Sequence, residues 1–468
     1  MKQLFSLGYK CMILCSLMGC YITAGAATPV GEFSGKKGEV KLLLLNPGHF
    51  HADLLQKTSN AKINDSVYVY APQGTELTQH MQRIASYNHR AEHPTAWKES
   101  VYFQNDFFQK MLSEKKGNVV VLAGNNQKKA AYINQSVLAG FNVLADKPMA
   151  INKEQFELLK ESFAIAEKKG VLLYDLMTER YDILNIVERE LIGNKELFGA
   201  LEHGTTAQPA VYVESVHHFY KNVSGNPLIR PAWYYDVEQQ GEGIVDVTTH
   251  LIDIVNWQCF PDITLDYRKD VALVSANHWT TNLTLQQFSQ STQLNSFPDY
   301  LTKSVYGNFL QVYANGEVRY RIKGVNITLK VVWNFEAPTG SGDTYSSIMK
   351  GSRAICMVLQ NKEQDFVPQL YIQKAAKASQ KTFSKALDKA IKQLQLTYPF
   401  ISLVKEDDKI RIDVPADKRE GHEAHFAKVA EKYFDFLALR DMPAWEVPNM
   451  LTKYYITTTA LKMAENAE

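Results

Sequence analysis

Six short apolar runs between residues 40 and 176 constrain this chain more than any other feature: VKLLLL (40–45), DSVYVYA (65–71), ESVYF (99–103), NVVVLAG (118–124), FNVLA (141–145) and GVLLYDL (170–176). Runs this continuous suit strands buried on both faces, and such strands must be covered by helices on each side. Helical patterning falls between them, in AAYINQSVLAG (130–140) and in a Lys- and Glu-rich stretch over about 152–168. The alternation predicts an α/β domain over 39–176, a doubly wound parallel sheet. In such sheets ligands bind beyond the carboxyl ends of the strands, so the loops that follow the strands are where function is sought.

After about residue 200 the texture changes to long strands. LQVYANGEVRYRI (310–322) carries Asn315-Gly316 between alternating residues, which reads as a hairpin turn, and ITLKVVWNFEA (327–337) continues an antiparallel sheet. A basic amphipathic helix is expected over roughly 373–395, with Phe383, Leu387, Ala390 and Leu394 on its apolar side. Helices follow from Gly421. The second domain, 177–468, is therefore expected to be α+β with a large open, mostly antiparallel sheet, its last helices packing back on the first domain.

With 51 basic against 50 acidic side chains, nothing in the charge balance steers the chain toward nucleic acid, and a small-molecule partner is expected. Cys11, Cys15 and Cys20 crowd the start, leaving only Cys259 and Cys356 in the body, so no disulfide framework is expected. Residues 1–27 have the layout of an export signal: Lys2 and Lys10, an apolar run, then small residues. Leu17-Met18-Gly19-Cys20 resembles a lipoprotein box, which would lipidate Cys20, and residues 28–38 read as a linker. The expectation is an exported protein, periplasmic or membrane-anchored.

Two segments hold residues suited to chemistry. In NVLADKPMA (142–150) Lys147 stands where an apolar strand ends, and Pro148 stops that strand. In GEGIVDVTTHLIDIVNW (241–257) Asp246, His250 and Asp253 recur at spacings of four and three, as on one helix face, where a carboxylate can orient an imidazole for proton transfer. GNNxxK (124–129), ADKP and GEGxxxDxxxHxxD, in this order, resemble the Gfo/Idh/MocA family, named for glucose-fructose oxidoreductase and inositol dehydrogenase.

The resemblance runs from about residue 40 to 260 and more loosely to HEAHFAKVAEKYFDF. It implies an N-terminal Rossmann domain binding NAD or NADP and a C-terminal domain holding a sugar-like substrate. It assigns Lys147 to polarising the reacting oxygen, Asp246 to orienting substrate and His250 to taking the hydroxyl proton, with Asp146 in place of the family's usual Glu. Gly124, Asn126 and Arg180 fall at cofactor-facing positions, and Lys129 stands where the family has a histidine.

By the same alignment the three glycines of the nucleotide loop fall on Asn46, Gly48 and His51, so only the middle one survives, and the cofactor loop reads Asn46, Gly48, His49, His51. Asn46 tolerates unusual backbone angles; His51 replaces the glycine that permits close helix packing. His49 and His51 are two residues apart, a spacing met in metal sites, but without a third ligand in sequence no metal is assigned. The second strand ends Tyr70-Ala71-Pro72, which leaves NAD and NADP undistinguished. His217, His218, Arg230, Trp233 and Tyr234 suit the edges and faces of a sugar.

The resulting expectation is an NAD(P)-dependent oxidoreductase acting on a sugar or glycoside hydroxyl, its cofactor tightly bound, with a homo-oligomer conceivable through the open sheet. The rivals are an NAD-dependent glycosidase using transient oxidation and elimination, and a carbohydrate-binding protein that kept the fold without catalysis.

Overall fold

The structure, a computed structural model, describes residues 33–467 except 224 and 225; the export signal and Cys20 lie outside the described residues. The six apolar runs form β1 (Leu42–Leu45), β2 (Ser66–Tyr70), β3 (Lys98–Tyr102), β4 (Val119–Leu122), β5 (Asn142–Asp146) and β6 (Leu173–Leu176). They make one parallel sheet in the order β3-β2-β1-β4-β5-β6, with every residue of β1, β4 and β5 buried. Strand order reverses between β1 and β4, so a crevice opens at their carboxyl ends.

A ten-stranded sheet forms the second domain. Its neighbours are antiparallel apart from Val325–Glu336 beside Val211–Tyr220. The helix Thr248–Cys259 lies against this sheet, contributing Leu251, Ile252, Ile254 and Val255 to its core. The two core cysteines, Cys259 and Cys356, are free and buried.

Two sequence expectations fail here for physical reasons. Asn315-Gly316 makes no turn: Phe309–Ile322 runs through it as one strand, and the hairpin closes at Lys323-Gly324. Asn315 instead ties strands together, donating to the Trp279 carbonyl at 3.0 Å and accepting from the Trp333 amide at 2.7 Å. Gly316 and Gly243 let that strand and the turn before the Thr248–Cys259 helix touch, since a Cβ on Gly243 would sit 1.8 Å from the Ala314 carbonyl oxygen. The basic amphipathic helix begins only at Gln380, because Gln369–Lys374 is claimed by the sheet; Phe383, Leu387, Ala390 and Leu394 are buried as its pattern requires.

The C-terminal helices His422–Leu439 and Glu446–Glu465 return to the first domain. Phe426, Tyr433, Phe434 and Leu437 of the former, with Met450 and Tyr454 of the latter, join the core around β1–β6. A buried ionic network fixes this return. Arg180, just after β6, pairs with both Asp253 oxygens at 2.6 and 2.8 Å and with Glu446 at 3.1 Å. Lys453, 0% exposed, reaches Asp175 at 2.6 Å and Asp253 at 2.9 Å, and the Tyr454 hydroxyl donates to Asp175 at 3.0 Å.

Asp253→Ala would leave two buried cations with one counter-charge fewer, a change that costs about 3–5 kcal/mol. Urea unfolding of the variant should show a loss of that size; a loss below ~1 kcal/mol would mean the network does not hold the domains together.

Candidate active site

The loop after β1 builds the crevice floor. Asn46 takes the left-handed backbone (φ 50) that the first glycine of such loops adopts. Gly124, after β4, lets the two loops meet: a Cβ there would lie 2.6 Å from the Asn46 carbonyl oxygen and 2.9 Å from the Gly48 amide. A cleft of 200 Å³ opens above, lined by Asn46, Gly48, Gly74, Asn125 and Trp233 among others. Trp233 comes from the second domain, and its indole N–H donates to Glu76 at 3.1 Å. A Cβ on Gly48 would meet Trp233 at 3.6 Å and Glu76 at 3.7 Å, so this pair stands directly over the glycine.

The rest of the loop departs from the usual plan. The Gly48 and His49 amides both donate to the Ala123 carbonyl, at 3.0 and 3.2 Å, and the following helix is only His51–Leu54. Buried His51 puts Nδ1 3.0 Å from Asp146 and Nε2 2.8 Å from His422 Nε2. The loop is thus pinned to the end of β5 by side chains, where the family packs a helix through its third glycine. Burial would raise the Asp146 carboxyl, but the facing His51 and His49 hold it well below the usual carboxylate range.

Lys147 follows Asp146 and projects to the second domain, where its Nζ lies 2.5 Å from Asp246 Oδ1. The other Asp246 oxygen accepts from Gln240 at 3.0 Å. Asp246 precedes the helix that starts at Thr248, so it shares no helix face with His250 and makes its bonds elsewhere. His250 Nδ1 has no hydrogen-bond partner among the described residues. Burial and the nearby Lys147 charge push the His250 imidazole well below its ordinary value, keeping it neutral.

His250 lines a cavity of 270 Å³ between the Thr248–Cys259 helix and the large sheet. Val247, His250, Leu251 and Ile254, at helical spacing, form one wall; Ser215 and His217, which share a strand face, form the other. Glu179, Asp182, Asp343 and Gln360 give it a hydrogen-bonding rim. Burial, with Asp182 beside it, raises the Glu179 carboxyl to about 7.

Residues 48–175 match the family model of the Gfo/Idh/MocA oxidoreductases, described as an NAD-binding Rossmann fold. Residues 187–465 match the model described as "Putative oxidoreductase C terminal domain". The chain belongs to the Gfo/Idh/MocA oxidoreductases. Within that family it is 48% identical to a crystallised "putative oxidoreductase" from Parabacteroides merdae, with a TM-score of 0.92 over 94% of this chain and 100% of the other. The 3-ketoreductase KijD10 of Actinomadura kijaniata, crystallised with NADP and TDP-benzene, shares the fold at 12% identity, a TM-score of 0.54, and coverage of 89% of this chain and 95% of that one. A curated relative, "Putative oxidoreductase YteT" of Bacillus subtilis, is 25% identical over 33% of each chain, so this chain matches about a third of that relative's length.

As a Gfo/Idh/MocA oxidoreductase, the chain carries the NAD(P)-binding domain of its family, and the cleft bordered by Asn46, Gly48, Gly74 and Asn125 lies beyond the carboxyl ends of β1 and β4, where such domains take a dinucleotide. Several expected contacts lie elsewhere. Arg180 spends its guanidinium in the ionic network and does not face the cofactor crevice. Asn126 is turned to the second domain, its amide donating to the Gln240 carbonyl at 2.7 Å.

Of the substrate candidates, only His217 lines the cavity. His218 binds Asp343 at 2.8 Å from the opposite strand face, Arg230 donates to the Phe219 carbonyl at 2.6 Å, Tyr234 packs on Trp333, and Trp233 stands in the nucleotide cleft. Residues that the sequence reading missed include Glu179, Glu76, Gln240, Asp343 and His422. Glu179 adjoined Arg180 in TERYD, and the GHEAHF stretch offered His422, but neither had a spacing that tied it to the crevice. Lys129, read as a stand-in for a histidine, is buried and donates to the Asp146 carbonyl at 3.0 Å.

His217 is also pushed down, to about 4, by burial. Its folded value and that of His250 lie below the unfolded ~6.5, so between those limits the unfolded chain binds more protons. Stability present above pH ~6.5 is therefore lost as pH falls toward 4, by up to ~1.4 kcal/mol per pH unit for each histidine. Urea unfolding at several pH values should show this slope, and His217→Gln should reduce it; an unchanged slope in the variant would contradict a neutral buried His217.

Proposed function

We propose that this protein transfers hydride between a nicotinamide cofactor and a hydroxyl-bearing carbon of a sugar or glycoside. The observation that carries the reading is the Lys147–Asp246 pair at 2.5 Å, at the domain junction where neutral His250 borders a cavity of mixed apolar and polar lining. A cavity walled by Val247, Leu251 and Ile254 on one side and Ser215 and His217 on the other, with Glu179, Asp182, Asp343 and Gln360 at its rim, suits the apolar faces and hydroxyl edges of a sugar ring.

In the oxidation direction the substrate hydroxyl gives its proton to the neutral His250 imidazole. The Lys147 ammonium, positioned by Asp246, stabilises the negative charge that develops on the oxygen. Asn46, Gly48, Gly124, Asn125 and Trp233 would hold the cofactor, which supplies the hydride acceptor. The Trp233–Glu76 contact ties the second domain to the wall of the cleft, and this supports tight retention of the nucleotide. Retention suits export, proposed from residues 1–27, because free cofactor is scarce outside the cytoplasm; movement of Cys20→Ala from membrane to soluble fraction is the corresponding readout.

One observation favours the glycosidase reading in second place. The Glu179 carboxyl, raised to about 7, lines the same cavity as His250 and could protonate a leaving group. Aglycone release without net cofactor reduction, abolished in Glu179→Gln, would select it.

The main reading is tested by single-turnover cofactor reduction across pH. His250→Ala should lower the rate by roughly 10²–10⁴. In the native protein the acidic limb should fall below the ordinary imidazole value, as the depressed His250 requires. Lys147→Met should slow the reaction at every pH and, by removing a charge that depresses the His250 imidazole, move that limb toward higher pH. A wild-type rate in His250→Ala, with the pH profile altered only in Lys147→Met, would make lysine the base.

A further inference from the structure

The carboxyl ends of β1 and β5 gather a donor set that hydride transfer does not use. Ligand atoms of His49, His51 and Asp146 all lie within 4.8 Å of one another. His51 Nδ1 is 3.0 Å from Asp146 Oδ1, and His49 Nδ1 is 3.2 Å from Asp146 Oδ2. Neighbouring donors of a tetrahedral ion bound at about 2.0–2.1 Å stand roughly 3.3 Å apart, a spacing that both histidine–carboxylate pairs already have.

Two further observations point to a cation. His49 Nδ1 is shut off from solvent and makes no hydrogen bond among the described residues, its approach to Asp146 having the distance but not the direction of one. A buried nitrogen left unpaired costs free energy that coordination would recover. His51 Nε2 and His422 Nε2 lie 2.8 Å apart, so one of the two carries the proton. An imidazole that coordinates through Nδ1 keeps its proton on Nε2, and a metal-bound histidine characteristically donates that proton to an outer acceptor, here His422.

We propose that His49, His51 and Asp146 bind one divalent transition-metal ion of the zinc or iron class, through both Nδ1 atoms and the carboxylate, with His422 as the outer hydrogen-bond acceptor. Two imidazoles and one carboxylate select such ions over magnesium or calcium. Three protein donors are also the complement of sites that leave a coordination position for an exogenous oxygen. Of the two neighbouring lysines, Lys147 is paired with Asp246 at 2.5 Å and Lys129 donates to the Asp146 carbonyl oxygen at 3.0 Å, on the side of the backbone rather than of the carboxylate. The donor set alone carries this assignment, whatever the substrate.

The test uses the full chain purified without a polyhistidine tag. After dialysis against Zn²⁺ and removal of loose metal, elemental mass spectrometry should find one zinc per chain, and thermal denaturation should shift upward on zinc addition. Co²⁺ should give the ligand-field absorption of a four-coordinate site. His49→Ala, at a half-buried position that need not disturb folding, and Asp146→Asn should each lose the stoichiometric ion and the thermal shift. His422→Ala should weaken zinc affinity by about 10–100-fold, the range for loss of an outer partner. Wild-type protein with no bound zinc, no thermal shift and no cobalt spectrum would overturn the proposal, as would full stoichiometry in both ligand variants.

Discussion

The charged cluster of Arg180, Asp253, Lys453, Asp175 and Glu446 is the constraint on which the rest of the molecule depends. It joins the end of β6, the His250-bearing helix and the C-terminal helix in a space closed to water. Taking five ionisable groups out of solvent is expensive, and the cost is offset only when all are paired in one arrangement. Glu446 shows the strain: burial raises its carboxyl, and the Arg180 charge opposes the shift without cancelling it. A slid or rotated docking of the domains would strand at least one charge. The network therefore specifies the relation between Lys147 on the first domain and Asp246 and His250 on the second.

From that fixed relation follows the chemistry of the crevice. Each domain reaches into the other's half of the site: Trp233 stands over Gly48, and Lys147 ends on Asp246. Burial then sorts the titratable groups. His250 and His217 are held neutral while the Glu179 carboxyl is driven up, so one small cavity contains a proton acceptor and a potential proton donor at neutral pH. The altered nucleotide loop belongs to the same logic. Where a glycine would admit close helix packing, His51 fills the space and anchors the loop to Asp146 and His422.

The parallel sheet was legible because strands such as VVVL and LLLL are apolar throughout, a pattern with few alternatives once helical stretches separate it. Lys147, Asp246 and His250 were legible through motif order. Asp246 and Asp253 illustrate the limit: their spacing from His250 suggested mutual contact, yet each is bound by a cation from a segment distant in sequence. Asn315-Gly316 fails similarly. Its local turn preference is overridden because the strand must pass against Gly243 and Ile244. Arg180 could be aligned but not aimed, since Glu446 and Lys453, which decide its surroundings, come more than 260 residues later. Side-chain direction at a domain junction depends on partners that no local pattern contains.

The proposed reaction passes a carbon-bound hydrogen of a sugar to a nicotinamide held between these domains. The most direct measurement is a single turnover of nucleotide-loaded protein with glycosides deuterated at one ring carbon at a time, followed by mass spectrometry of the released nucleotide. Deuterium from one ring position should appear in the reduced cofactor. Turnover or binding of the same glycosides with no deuterium in the nucleotide from any position would contradict it.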